Sequence, residues 1–237
     1  MVAPASATST DPRWIRVLAW LGGRWSFGTP WRAARKLHGF ARTEEQSQLE
    51  LRQAARACID ARRRARYLRH ALDEARHAQA FAEHAEELAR AAGALGFPRP
   101  SASSENLYEH LGEVRFLAFV HVGERRGRIE FETYARLLRR RGADALAMLF
   151  EDLVQDERQH EAYSARLLEE LTGEAGARSA VRWMKRWQAW RAFRRHGRAL
   201  AGALYRATML LVYVLLAPLG LALRLTAKPT RGFSREA

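Results

Sequence analysis

The feature that most constrains this chain is a short sequence that occurs twice. Asp73-Glu74-Ala75-Arg76-His77 and Asp156-Glu157-Arg158-Gln159-His160 share the pattern Asp-Glu-x-x-His, and each copy lies in a long segment of helix-forming residues. On a helix, positions i and i+3 share a face, so Glu74 and His77 point the same way, as do Glu157 and His160. Around them the apolar period is near 3.6 residues. Tyr67, Ala71, Ala78, Phe81, Ala85 and Leu88 form one stripe, and Leu117, Val120, Gly127, Phe131, Tyr134 and Leu138 form another. The first motif falls within the first of these stripes, and the second is read as lying on the buried face of its own helix, opposite the other. A buried carboxylate and imidazole need partners there, because an unpaired buried charge is costly.

Helical punctuation divides the centre into four segments. Thr43 and Gln46 read as a capping box, with Ser47, Leu51, Ala54, Ala55 and Cys58 as the stripe that follows. A turn at Asp60-Ala61-Arg62 leads to a second helix over about 63–92. The Pro/Ser-rich stretch at 96–104 is a long connection to a third helix over about 105–140. A turn at 141–143, with Asp144 as candidate cap, leads to a fourth helix over about 145–171 that closes at Gly173. Two helical hairpins joined by one long crossover predict an all-α four-helix bundle, and the duplicated motif marks its two halves as an internal repeat.

Two Glu-x-x-His motifs on facing helices, each joined by a lone Glu from a neighbouring helix, supply a two-metal carboxylate site. Hairpin register locates those lone glutamates. Glu74 and His77 lie 13 and 16 residues beyond Ala61, and Glu44 lies 17 before it, in phase with Leu51 and Cys58; Glu50 is the fallback. Glu157 and His160 lie 15 and 18 residues beyond Gly142, and Glu124 lies 18 before it, in phase with Val120 and Phe131. Glu130, only 12 before, is the weaker alternative. The expected metal ligands are thus Glu44, Glu74, His77, Glu124, Glu157 and His160. Asp73 and Asp156 are expected to orient the metal-bound histidines, each that of the opposite repeat, as a carboxylate commonly does for the second ring N–H. His70 and His84 also fall near the inward stripe and are read as additional core or surface histidines. Carboxylate with imidazole suits two iron ions and equally admits manganese.

Residues 43–172 resemble the ferritin-like di-iron carboxylate superfamily, which includes ferritins, rubrerythrins and several hydroxylases. Glu74, His77, Glu157 and His160 match its ligand signature directly. The resemblance implies a ferritin-like bundle and oxygen-dependent oxidoreductase chemistry, without naming a reaction. The chain departs from rubrerythrins, since its single cysteine, Cys58, excludes a four-cysteine iron domain, so an external electron donor is expected. It departs from ferritins in a long C-terminal extension that would obstruct a storage cage.

Charge and tryptophan separate this centre from its flanks. Residues 1–40 hold six basic residues against Asp11, residues 41–175 hold 21 basic and 24 acidic, and residues 176–237 hold 13 basic against Glu236. Trp14, Trp20, Trp25 and Trp31 precede the centre, and Trp183, Trp187 and Trp190 follow it. The expected organisation is a basic Trp-rich arm (1–40), the bundle (41–175), and a basic amphipathic helix followed by a hydrophobic membrane-type helix (176–237, apolar over about 207–223). Trp and Arg beside a charge-free run are the marks of an interfacial anchor and a membrane segment. The positive-inside rule then keeps the bundle on the cytoplasmic side. Nucleic acid fits less well as a partner, because it does not account for the apolar run. The expected function is a membrane-associated di-iron oxidase or monooxygenase that uses O2 on a lipophilic substrate, with architecture similar to the demethoxyubiquinone hydroxylases. A ferroxidase or peroxide-scavenging protein and a metal-free membrane adaptor are the alternatives.

Overall fold

The computed structural model describes residues 11–98 and 103–226, with side chains described as far as Pro218. The first ten residues of the basic arm, residues 99–102 of the crossover, the side chains of 219–223 in the apolar run, and residues 227–237 lie outside the described set. Every regular element among the described residues is helical. In chain order they are α1 (Arg13–Ser26), α2 (Pro30–Ala57), α3 (Ala61–Ala91), α4 (Leu107–Leu111), α5 (Glu113–Arg139) and α6 (Asp144–Thr226).

The boundaries correct several sequence expectations. The second element starts at Pro30, with Thr29 as N-cap, and not at Thr43. Thr43 lies mid-helix, where its hydroxyl donates to the Gly39 carbonyl at 3.1 Å. Proline at the first helical position and a capping threonine before it are the stronger start signal. The last eleven residues of the basic arm, 30–40, are therefore the first turns of α2. The third expected helix is split at Gly112 (φ 74°), which separates α4 from α5. Asp144 is the first residue of α6, not its cap, and its carboxylate accepts from Arg139 at 2.9 Å. The turn at Asp60 is as expected, with its carboxylate capping α3 through Arg63 N–H at 2.8 Å.

Apolar residues of α2, α3, α5 and α6 meet in one core. Leu37 and Ala41 pack with Phe81 and Ala85, with Phe131, Tyr134 and Leu138, and with Phe150, Leu153 and Val154. Phe40 touches the rings of Phe81, Phe131, Tyr134 and Phe150 at centroid distances of 5.1–6.1 Å. This aromatic cluster occupies the end of the bundle where α2 begins and α3 ends. At the opposite end a polar knot ties the α2–α3 turn to α5. Glu113 accepts from Tyr67 at 2.9 Å and from Arg63 at 2.8 Å. Between these two plugs lies the level of the Asp-Glu-x-x-His motifs. α1 rests on α5 through buried Ala19, Gly23 and Ser26, and Asp11 ahead of it is held by Arg128 at 3.0 Å. Its outer face leaves Trp14, Leu18, Leu21 and Trp25 exposed at helical spacing.

The chain forms two compact units divided after Lys185. In the first, α6 breaks at Gly173, whose φ of 67° and ψ of 170° belong to a conformation that a side chain would strain. Beyond the break Ala177 and Met184 are buried, and Trp183 lies under the Arg115 guanidinium at 4.3 Å. The start of the expected amphipathic helix is thus packed on the bundle instead of lying free. The second unit is a helix with exposed Trp190, Phe193, Leu204, Leu210, Leu211, Val214 and Leu215. α6 is long and apolar enough to cross a membrane, with a most apolar window of mean hydropathy 1.8, none of it buried among the described residues.

Candidate metal centre

Four helices converge on one buried group of six acidic and imidazole side chains. Glu44 comes from α2, Glu74 and His77 from α3, Glu124 from α5, and Glu157 and His160 from α6. Each is at most 8% exposed. The structure therefore brings together all six residues picked by motif and hairpin register. The fallback residues lie elsewhere. Glu50 accepts from Ser104 and from the backbone of Glu105 and Leu107, so it holds the crossover and the start of α4. Glu130 pairs along its own helix with Arg126 at 4.0 Å.

The two aspartates cross between repeats. His77 Nε2 lies 3.1 Å from Asp156 Oδ2, and His160 Nε2 lies 3.2 Å from Asp73 Oδ2. A carboxylate can only accept, so each Nε2 carries the proton and each Nδ1 presents a lone pair. Those lone pairs point inward: His77 Nδ1 is 3.8 Å from a Glu157 oxygen, and His160 Nδ1 is 3.6 Å from a Glu74 oxygen. Among the described residues neither Nδ1 has a hydrogen-bond partner, and the same holds for Glu74 Oε2. Lone pairs facing carboxylates across a buried interior repel one another, and a cation among them turns that repulsion into coordination. The donor set therefore fits a metal ion.

Electrostatics lead to the same result. Desolvation, followed by repulsion from Glu44, Glu124 and Glu157, pushes the Glu74 carboxyl well above its ordinary range. Desolvation, then Glu124, does the same to Glu157. Glu44 and Glu124 are also raised by burial. The Glu44 carboxyl lies beside that of Glu74, and the Glu124 carboxyl beside that of Glu157. Two carboxyls in contact either share a proton or face a cation. Burial likewise lowers His77 and holds His70 well below the usual imidazole value, keeping the rings neutral as ligation requires.

Two clusters of potential ligand atoms result. His70, Glu74, Glu124 and His160 bring one atom each within 4.8 Å of one another, as do Glu74, His77 and Glu157. Glu74 belongs to both. Gly127 leaves room for this arrangement, since a Cβ there would lie 3.3 Å from Glu157 Oε2.

His70 is the residue that sequence reasoning missed. It is 1% exposed, with Nε2 2.7 Å from Glu74 and 3.5 Å from Glu124 and its ring 3.7 Å from that of His160. Its Nδ1 lies 2.6 Å from the hydroxyl of buried Tyr163. The signal was present: His70, Glu74 and His77 fall at i, i+4 and i+7, one continuous face. His84, by contrast, bonds its own helix at Ala80 and takes no part.

An all-helical bundle with a buried His/Glu cluster able to hold a metal ion, joined to a helix able to span a membrane, is the class of protein that fold and site define. No family model matches the chain, and neither a curated protein nor a solved structure does so.

Proposed function

We propose that this protein is a ferritin-like di-iron oxidase or monooxygenase held at a membrane, with its bundle on the cytoplasmic side and a lipophilic substrate. The observation that carries the reading is the pair of inward-facing Nδ1 lone pairs on His77 and His160, each braced by the other repeat's aspartate amid four buried glutamates. Two iron ions, or manganese in the same ligands, would supply reversible one-electron redox chemistry and activation of O2. Glu44, Glu74, Glu124 and Glu157 would ligate as carboxylates, giving up any shared protons. Their four negative charges would balance two divalent ions. Asp73 and Asp156 keep the imidazoles oriented and more basic. The aromatic plug at one end and the Glu113 knot at the other close the two ends of the bundle over the cluster. With a single cysteine these 237 residues hold no four-cysteine iron site, and electrons would come from a separate donor.

Membrane attachment is supported by the exposed apolar helix and by the Trp14–Leu18–Leu21–Trp25 face of α1, flanked by Arg13, Arg16 and Arg24. Tryptophan and arginine of this kind settle at the lipid headgroup level. A second reading, a ferroxidase or peroxide scavenger, draws on the polarity of the cavity beside the cluster, described below. The test is O2 uptake by the iron-loaded protein in nanodiscs with a chemical reductant and a lipid extract. Oxygen incorporated into an extract component supports the oxygenase. Ferrous iron or peroxide consumed at the same rate with and without extract supports the second reading. No turnover in either case overturns both.

A further inference from the structure

A cavity of about 330 Å³ opens between α3 and α6 and reaches the metal-binding cluster from the side. Its floor is buried and belongs to the cluster itself: His70, His160 and Tyr163. Its rim is cationic. Arg66 and Arg69 come from α3, one turn before His70 and next to it, and Arg158 and Arg166 come from α6, on either side of Tyr163. Helical spacing puts them there, because 66, 69, 70 and 73 share one face, as do 155, 159, 162, 163 and 166. Arg158 is already satisfied by Glu132 at 3.0 Å. Among the described residues Arg66, Arg69 and Arg166 have no carboxylate partner, and Asp73, the one acid in the lining, is taken by Arg76 and His160.

Three exposed guanidinium groups that line one concave opening, none with a carboxylate partner among the described residues, make that opening favourable for an anion. A phosphate group offers the oxygens that arginine forks bind best. We propose that this cavity binds a phosphate ester, placing the phosphate among Arg66, Arg69 and Arg166 and directing the attached group toward His70, His160 and Tyr163. The volume admits a phosphate with a small attached group and lies at the small end of ligand-binding cavities. This deepens the oxidase reading by naming the ligand class, and rests on that reading only for its catalytic meaning. The phosphate could belong to a lipid headgroup or to a soluble metabolite, and the cavity chemistry is the same for both.

The experiment titrates inorganic phosphate into the full-length protein in detergent at fixed ionic strength, followed by ³¹P line broadening. Arg66→Gln/Arg69→Gln/Arg166→Gln is compared with Arg52→Gln/Arg56→Gln/Arg90→Gln, an equal loss of charge at exposed positions away from the cavity. The expected result is at least about tenfold weaker binding for the first triple, the least that one lost charge-assisted hydrogen bond implies, and little change for the second. Equal weakening in both, or no saturable binding by the native chain, overturns the proposal. Competition separates the sources. Phosphatidic acid in vesicles that displaces bound phosphate identifies a headgroup; glycerol 3-phosphate that displaces it while the vesicles do not identifies a soluble ester. Metal content is measured on the same samples. Phosphate bound through the three arginines by a protein that takes up no metal would end the oxidase reading and leave the cavity assignment standing. Metal bound normally by a protein indifferent to the arginine changes would do the reverse.

Discussion

Asp156→Asn tests how much the crossed aspartates contribute to metal binding. Asp156 accepts from His77 Nε2 at 3.1 Å and is itself partly exposed, so asparagine fits its place. The asparagine oxygen can still accept that hydrogen, which keeps the tautomer and removes only the charge. A charge-assisted hydrogen bond contributes about 1.5–3 kcal/mol and a neutral one about 1 kcal/mol, a difference of about 1.4 kcal/mol or tenfold in affinity. Asp156→Ala also removes the orienting acceptor and is expected to approach the hundredfold end of such changes. Asp73→Asn should act equally through His160. The double variant should lose about a hundredfold if the halves are independent, and depart from that if they couple, as ring centroids 6.0 Å apart allow. Affinity is read by competition between metal-free protein and a chelator of known strength, with Asp152→Asn as an exposed control on the same helix. Folding stability should move by less than about 1 kcal/mol, because neither aspartate is fully buried. Unchanged affinity in Asp156→Ala and Asp73→Ala would refute the bracing role.

Gly127→Ala should separate stability from binding. Alanine raises helix propensity by up to about 1 kcal/mol over glycine, while its Cβ, 3.3 Å from Glu157 Oε2, displaces that carboxylate. Metal-free protein is expected to melt at the same or a higher temperature and to bind metal more weakly; undiminished affinity would contradict the placement of Glu157. The pH dependence has a definite sign. Glu74 and Glu157 have folded pKa values raised above the ordinary 4.5, so in that window the folded state holds more protons than the unfolded one and stability falls as pH rises. Lowered His70 and His77 act in the opposite direction only below their ordinary 6.5. Across the window of the raised carboxyls the metal-free protein should therefore lose thermal stability as pH rises, against the opposite slope of the histidines below 6.5. Metal affinity should rise over the same range because binding releases the protons. A calorimetric scan series with and without metal checks both slopes.

Much of the site was legible because two constraints coincide in it. The i, i+3 spacing fixes which side chains share a face, and antiparallel hairpins fix which levels face each other. Together they bring Glu44 to Glu74, Glu124 to Glu157, and each aspartate to the opposite histidine. His70 escaped because nothing repeats it in the second half: the position four before Glu157 is Leu153, an apolar core residue. Only packing shows that one half carries an extra imidazole. Helix limits were less legible. Thr43 and Gln46 satisfy a capping pattern, yet Pro30 and Thr29 start the helix earlier, and once a helix is running a threonine hydroxyl can bond back to it. The break at Gly112 was hidden because apolar residues continue on both sides of it. The docking of Trp183 was hidden because a Trp/Arg-rich helix looks alike against lipid and against another helix. The cationic cavity needed α3 and α6 side by side, since neither helix shows it alone.

The most direct test of the central claim is the metal content of the purified protein, read with the absorption spectrum of its oxidised form. The account predicts two iron or manganese ions per chain and, for iron, near-ultraviolet absorption of a carboxylate-bridged ferric pair, both lost in Glu157→Ala and Glu74→Ala. A chain that binds no metal when reconstituted with either ion, or keeps full thermal stability in chelator and binds equally after those substitutions, would contradict it and leave a metal-free membrane adaptor.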